Sequence, residues 1–298
     1  MKNFTEEKKG IVYAILAFVF WGLVPIYFKM IKSVSPTEIL VHRIVWSVVF
    51  LTILIFWTKQ FGILKDILRD KSKMKILFLT SVLVSSNWLI FIWAVSNNQI
   101  TEASLGYFIN PIVNVILGML FFSEKPTKLQ KLAILFAIFA IINELISFGS
   151  IPLVSLSLAL SFGFYGMLRK KISLPSVTGL YIETLIVAPF ALMYFIYLVI
   201  NSKSAFIFPP NYISWVLMGA GLITVIPLLW FNAAATRIPL VKLGFLQYIG
   251  PTISFLLGVF AYNEPFDEKK FITFSFIWIA LVAFSLDSRF SKKSREEL

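Results

Sequence analysis

The chain has no cysteine and a single histidine, His42, among its 298 residues. The lack of cysteine excludes both a disulfide framework and a thiolate metal site. Charged residues are also scarce at 14%, whereas soluble domains carry about 25%. Hydrophobic residues make up 58% of the chain and the mean hydropathy is +0.85. The composition therefore predicts an integral membrane protein that has the lipid bilayer as a partner.

Motifs of cofactor and enzyme chemistry are missing as well. The sequence contains no P-loop, which argues against ATP-driven pumping. It contains no His/Glu cluster that could bind a metal and no Ser-His-Asp set spaced for nucleophilic catalysis. We therefore predict no cofactor, no metal and no enzymatic activity.

Ten apolar segments are long enough to be considered as spanning helices, which need about 20 residues each. They are residues 10–31, 36–57, 75–96, 101–122, 129–147, 151–169, 176–199, 211–233, 238–261 and 270–288. The N-terminal segment has no small-residue cleavage signal, and we interpret it as a retained first helix. The predicted fold is all-α, with ten transmembrane helices.

The positive charges are distributed unevenly between the two sides of this arrangement. With the N-terminus inside, 21 of the 27 Lys and Arg residues lie on the inner side and 5 on the outer side. This bias predicts a multi-pass membrane protein with both termini in the cytoplasm. Inner loops that contact anionic lipid account for the net charge of +12, so no nucleic-acid partner is predicted.

The sequence also contains an internal repeat with an offset of 140 residues. This offset aligns Pro111 with Pro251, Gly118 with Gly258 and Glu124 with Glu264. It divides the chain into residues 1–147 and 148–298, and five helices per half is an odd number. The second half should therefore enter the membrane inverted, which is typical of secondary transporters that bind substrate between their halves.

Several longer strings point to a family. They are FWGLVPIYFK, SPTEILVHRIVWS, NWLIFIWAV, EASLGYFINPIVNVILG, FGFYGMLRKKI and AAATR followed after seven residues by FLQYIGPT. Together they resemble the RarD branch of the EamA family, in the drug/metabolite transporter superfamily, and the resemblance covers residues 10–288. It implies an inner-membrane permease with ten helices and a cavity between its halves, and it leaves the substrate open.

Two charged residues are predicted deep within helices. Arg43 and Glu183 each lie about seven residues into a helix, or roughly 10 Å, and they enter from opposite sides of the membrane. One hypothesis is that both face a wet central cavity and bind opposite ends of a zwitterionic or polar substrate. The alternative is that each charge is satisfied locally and stabilises the helix bundle.

His42 follows Glu38 by four residues, on the same helix face. Its titration range makes it a candidate for coupling transport to protons, and a structural role is the alternative. Glu38 itself lies in the first turn, where the helix dipole stabilises a carboxylate.

Polar and aromatic side chains supply the other candidates for a substrate site. Prolines Pro111 and Pro251 are predicted to interrupt the fourth and ninth helices beside amide side chains, as expected around a central site; hydrogen bonds between helices are the alternative. The candidate polar residues are Asn87, Asn110, Asn114, Gln247 and Tyr248. The candidate aromatic residues are Trp21, Trp88, Tyr107, Tyr165 and Trp230, for which packing is the alternative.

These observations predict a secondary-active or facilitative transporter of small organic metabolites, amino acids or drugs that works by alternating access. Export is the direction that the family resemblance implies. Two rivals stay open, a non-transporting scaffold or regulatory protein and an intramembrane lipid-modifying enzyme, although the scattered acidic residues count against the enzyme. The sequence leaves open whether a proton is the coupling ion and whether the chain forms a homodimer.

Overall fold

The computed structural model describes residues 2–122, 127–148, 151–172, 174–235, 237–238 and 240–296, and all regular secondary structure in these ranges is helical. In chain order the helices are α1 (Lys2–Met30), α2 (Pro36–Thr58), α3 (Phe61–Arg69), α4 (Lys71–Ser96), α5 (Ile100–Phe122), α6 (Lys128–Phe148), α7 (Leu153–Ile172), α8 (Ser176–Ile200), α9 (Tyr212–Ala235), α10 (Leu240–Gln247), α11 (Ile249–Leu256) and α12 (Glu268–Glu296). Glu124, one member of the repeat, lies outside the described residues.

Six of the described helices are long and apolar enough to cross a bilayer, namely α1, α2, α4, α5, α8 and α9. Local signals in the sequence set their starts. At α2, the Ser35 side chain accepts a hydrogen bond from the Glu38 backbone N–H at 3.2 Å, and Pro36 occupies the first helical position. Both features satisfy or remove donors that a helix start leaves without partners. The prediction of an all-helical membrane protein is confirmed.

The region between α2 and α4 differs from the predicted loop. It forms α3, a short amphipathic helix that buries Ile67, and α4 begins at Lys71, four residues earlier than predicted. The cause is Asp70, whose carboxylate accepts hydrogen bonds from the backbone N–H groups of Ser72 and Lys73 at 3.0 and 3.1 Å. A carboxylate cap starts a helix among lysines, where hydropathy alone predicts a loop.

The two predicted proline interruptions have different outcomes. The ninth predicted segment is interrupted at Tyr248, between α10 and α11, and it ends in a π-helical turn at Leu257–Ala261. The fourth segment is not interrupted, because α5 continues through Pro111. The predicted break in that helix was wrong. A proline removes one backbone donor, and the packing of α5 along α7 keeps the helix continuous despite that loss.

The helices pack in pairs that correspond when the two halves are exchanged. Helix α1 packs on α9 and α7 packs on α4, while α5 packs on α7 and α11 packs on α1. Helix α2 packs on α8, and α6 packs on α12. At the α5–α7 contact the backbones approach closely, since a Cβ atom on Gly106 would lie 2.6 Å from the Ser155 carbonyl oxygen.

Candidate functional site

A cavity lies where eight helices meet. Its lining is mostly apolar and aromatic, with one charged side chain. The lining residues are Phe18, Trp21 and Val24 of α1, Arg43 of α2, Asn87, Trp88 and Phe91 of α4, Tyr107 of α5, Phe162 of α7, Ile223 of α9, Gln247 of α10, and Gly250, Pro251 and Ser254 of α11. Both halves of the chain therefore contribute to one cavity.

The candidate residues from the sequence divide into two groups. Those that line the cavity are Trp21, Arg43, Asn87, Trp88, Tyr107 and Gln247. Those that the structure places elsewhere are His42, Asn110, Asn114, Tyr165, Glu183, Trp230 and Tyr248. Among the second group, Trp230 packs edge-on against Phe20, with ring centroids 6.0 Å apart.

Among the described residues that line the cavity, Arg43 is the one with a charged side chain. Its Nε donates a hydrogen bond to Thr224 Oγ1 at 2.8 Å. The centre of its guanidinium group lies 4.7 Å from the centroid of the Trp88 ring and 5.3 Å from that of Phe28. Such cation–π contacts stabilise an arginine that is only 5% exposed, but they do not neutralise its charge.

Asn87 and Tyr107 form a polar contact on the cavity wall. The Tyr107 hydroxyl donates to Asn87 Oδ1 at 3.0 Å. Asn87 Nδ2 in turn donates to the Leu158 carbonyl and to Ser161 Oγ on α7, at 3.1 and 2.9 Å. These bonds fix the orientation of two side chains that face the cavity.

The other amides connect helices of the two halves. Asn110 Nδ2 donates to the Ala159 carbonyl at 2.7 Å, and its Oδ1 accepts from Asn114 at 3.1 Å and from Gln247 at 2.8 Å. Asn110 is fully buried and does not line the cavity. Its geometry is that of an amide bonded between helices, which holds Gln247 in the cavity wall. Tyr248 is buried beside this network and stacks on Phe108, with centroids 6.2 Å apart.

Glu183 belongs to a separate buried network. Its carboxylate lies 3.7 Å from Arg169 Nη1, and it accepts hydrogen bonds from Thr80 at 2.7 Å and from the Tyr165 hydroxyl at 3.3 Å. Neither Glu183 nor Tyr165 is among the cavity-lining residues. The arrangement matches the alternative in which a buried charge is satisfied locally.

His42 also lies outside the cavity lining. Its ring packs against Phe195 and Phe206, with centroids 5.0 and 5.2 Å apart. Trp46 donates to Nδ1 at 3.3 Å, so a neutral imidazole carries its proton on Nε2, which lies 3.9 Å from Glu38 Oε1. Glu38 is itself held by Ser204 Oγ and the Ala205 N–H, at 2.8 and 2.7 Å.

Sequence reasoning missed three partners of the buried charges. Arg169 is one of the 21 positive charges that the sequence places on the inner side, although it is buried in the last turn of α7. Thr80 and Thr224 gave no signal, because a threonine within a helix commonly bonds to its own backbone, as both of these also do. Glu264, which the sequence marks only as a repeat position, accepts hydrogen bonds from the backbone N–H groups of Ile100 and Thr101 at 2.8 Å each, and thereby caps α5.

Comparison with known proteins places the chain in a family. Residues 8–143 match the EamA-like transporter family. A protein from Vibrio cholerae called "Uncharacterized transporter" is 47% identical, over 95% of this chain and 93% of that protein. "Protein RarD" from Escherichia coli is 43% identical over 97% of both chains, and "Uncharacterized transporter YojE" from Bacillus subtilis is 45% identical over 94% of both.

A solved crystal structure has the same fold. It superposes with a TM-score of 0.63 at 13% identity, covering 94% of this chain and 98% of the other. The chain described here is a multi-pass protein of the bacterial inner membrane and belongs to the RarD branch of the EamA-like transporter family.

Proposed function

We propose that the protein is a secondary-active or facilitative exporter of small organic molecules that works by alternating access. In this proposal ten helices span the membrane as two inverted halves, residues 1–147 and 148–298, with both termini in the cytoplasm. The observation that carries the proposal is the cavity, whose wall is built from both halves. A site of this kind can open to either side of the membrane when one half moves against the other.

The helix boundaries support the inverted repeat. Helices α2, α5 and α6 begin at residues 36, 100 and 128, and α8, α10 and α12 begin at residues 176, 240 and 268. Each pair differs by the same 140 residues that align the sequence motifs. The helix pairings described above also correspond when the halves are exchanged. Two halves with the same internal plan can exchange their roles in an inward-open and an outward-open state.

Equivalent positions of the two halves also meet at the cavity. Tyr107 on α5 and Gln247 on α10 are related by the 140-residue offset, and both line it. Each lies seven residues from the start of its helix, or roughly 10 Å along the axis. If the two helices enter from opposite sides, these residues lie on either side of the bilayer midplane, where transporters bind their substrates.

Within the same proposal, His42 and Glu38 are the candidate route for a coupling proton. They are the facing pair of titratable groups, with 3.9 Å between Nε2 and Oε1, and the side chains packed on the imidazole are aromatic. Transport should depend on pH through the titration range of the imidazole, and His42→Gln should lose that dependence. An unchanged pH profile in the variant would remove the proton from the proposal.

Counterflow in proteoliposomes tests the transport function. The substrates are labelled aromatic and neutral amino acids, simple aromatic acids and chloramphenicol. Chloramphenicol is included because the name of one relative from Pseudomonas aeruginosa is "Chloramphenicol-sensitive protein RarD". Saturable exchange of any one compound, absent from empty liposomes, supports the proposal. Absence of exchange for the whole panel favours the scaffold alternative.

The lack of cysteine in the chain permits a direct test of alternating access. Ser254 lines the cavity, and Ser47 is buried between α2 and α9, where its hydroxyl donates to the Gly221 carbonyl. A membrane-impermeant maleimide should label Ser254→Cys from both sides of the membrane, and it should not label the matched control Ser47→Cys. Labelling of Ser254→Cys from one side only would contradict alternating access.

A further inference from the structure

The charge balance of the cavity is the starting point for a further inference. Arg43 is the only charged side chain among the fourteen lining residues, and arginine stays protonated in proteins. Within the described ranges, no carboxylate lies within 4.0 Å of its guanidinium group. The described lining of the cavity thus carries a formal charge of +1 in a largely apolar wall.

The protein uses little of the hydrogen-bonding capacity of Arg43. Its Nε donates to Thr224, and its charged face lies over Trp88 and Phe28. The two terminal nitrogens make no hydrogen bond to any side chain or backbone group that the structure describes. A guanidinium group binds a carboxylate through two parallel N–H donors, so Arg43 retains the part of its fork that such a ligand needs.

The polar side chains of the cavity wall already have hydrogen-bond partners within the protein. Asn87 Oδ1 accepts from Tyr107, and Gln247 Nε2 donates to Asn110. Aromatic rings form half of the remaining wall, and the Trp21 centroid lies 5.8 Å from that of Phe18 and 6.0 Å from that of Phe162. An aromatic or aliphatic body fits such a wall, while an ammonium group next to Arg43 would meet another positive charge.

A zwitterion would also need a negative charge in the cavity wall, and the candidate for that charge, Glu183, lies outside the cavity. Glu183 lies in the network with Arg169, Thr80 and Tyr165 and does not line the cavity. We propose that the site selects organic monoanions, with Arg43 binding the carboxylate and the aromatic wall binding an apolar body. The inference rests on the proposed transport function and names its substrate class; amides, amines and zwitterions of the same shape should bind more weakly.

A matched set of ligands tests this selectivity on the purified full-length protein. The probes are 3-phenylpropionate, its amide, phenylalanine and 3-phenylpropylamine, measured by calorimetric binding in detergent at neutral pH and by counterflow. Wild type should bind 3-phenylpropionate at least about tenfold more tightly than the amide, since a charge-assisted hydrogen bond is worth about one factor of ten or more. Arg43→Gln should reduce this ratio to about threefold or less.

Two further variants keep the result interpretable. Lys32→Gln removes the same charge from an exposed position outside the cavity and should leave the ratio unchanged. Arg43→Lys keeps the charge but loses the fork, so it should give an intermediate ratio, and it decides the question if Arg43→Gln does not fold. The inference is overturned if wild type prefers the amide or the amine, if it binds none of the four probes, or if Arg43→Gln keeps the wild-type ratio.

The two proposals fail in different ways. Saturable counterflow of the amide or of phenylalanine, without preference for the carboxylate, leaves the transport function standing and overturns the selectivity. Binding with the expected carboxylate preference but without counterflow of any probe supports the selectivity of the cavity and contradicts transport.

Discussion

Helices α2 and α8 start at matching positions of the repeat, and each carries a buried charge seven residues from its start. In α2 this residue is Arg43 and in α8 it is Glu183. Each charge is also hydrogen-bonded to a threonine of the opposite half. Arg43 donates to Thr224 on α9, and Glu183 accepts from Thr80 on α4. The same structural position thus holds a cation in one half and an anion in the other.

The difference lies in what surrounds the two charges. Glu183 has Arg169 of its own half at 3.7 Å. The offset that relates Arg43 to Glu183 relates Lys29 to Arg169, so the first half has two cations where the second half has an ion pair. Instead of a carboxylate, Lys29 Nζ contacts Asn98 and donates a hydrogen bond to its Oδ1 at 2.5 Å. Among the described residues, Arg43 has no counter-ion from its own half, and it lines the cavity.

This comparison indicates that one position of the repeat has two physical roles. In the second half, the buried pair holds α7, α8 and α4 together. In the first half, the unpaired cation can be neutralised by a ligand. If so, substitutions at Glu183 should act mainly on stability and substitutions at Arg43 mainly on binding.

The largest expected effect follows removal of Glu183. Glu183→Leu leaves Arg169 as a buried charge without its carboxylate, and breaking a buried ion pair in this way costs about 3–5 kcal/mol. We expect that loss in the free energy of unfolding, measured by denaturant titration in detergent micelles. The double variant Arg169→Met/Glu183→Leu should recover most of the stability. A Glu183→Leu protein as stable as wild type would contradict the structural role of the pair.

A smaller loss is expected when the pair is displaced rather than removed. A Cβ atom at Gly179 on α8 would overlap the Arg169 guanidinium group, so Gly179→Ala must displace the group that pairs with Glu183. Overpacking of this kind costs about 1–3 kcal/mol. Gly166 on α7 is the matched control, because open space surrounds the position of its missing Cβ. Gly166→Ala should be neutral or slightly stabilising; equal losses in both variants would mean that Arg169 is not the cause.

Sequence patterns predicted the buried charges themselves, because a charge within an apolar segment of 20 residues is conspicuous and costly. They could not predict which charges pair. Pairing depends on the rotation of each helix about its own axis and on its depth against its neighbours, which hydropathy does not report. Arg169 shows the limit clearly, since at the end of an apolar segment it was indistinguishable from the loop lysines that follow it.

Proline signals were similarly incomplete. Pro251 marks a real interruption between α10 and α11, whereas α5 continues through Pro111. The two motifs are alike in sequence, so the difference comes from packing. Helix α5 lies along α7 over the close contact at Gly106, and Asn110 reaches the Ala159 carbonyl. These contacts are long-range and leave no trace in a local pattern.

Glu264 offers a test of how the two halves are joined. Its carboxylate accepts two backbone hydrogen bonds at the start of α5, so it connects the end of the second half's repeat motif to the first half. Loss of a helix cap costs about 1 kcal/mol, and Glu264→Gln should lower the free energy of unfolding by about that amount. Asp66→Asn changes an exposed carboxylate within α3, away from the first turn of a helix, and should have no effect. Equal stability of both variants would contradict the capping role.

The threonines that contact the two charges give the most sensitive test of the comparison. Loss of one hydrogen bond costs about 1 kcal/mol, but the cost should be seen in different measurements. Thr80→Val should lower the free energy of unfolding, because it removes a donor from Glu183 in a closed network. Thr224→Val should leave stability nearly unchanged and weaken binding of 3-phenylpropionate about fivefold. The Thr224 hydroxyl holds the Arg43 guanidinium group in the one orientation that the ligand needs, and the variant loses that bond. If both variants lost stability and kept their binding, Arg43 would be a second structural charge, and the two halves would not differ in the way that their surroundings indicate.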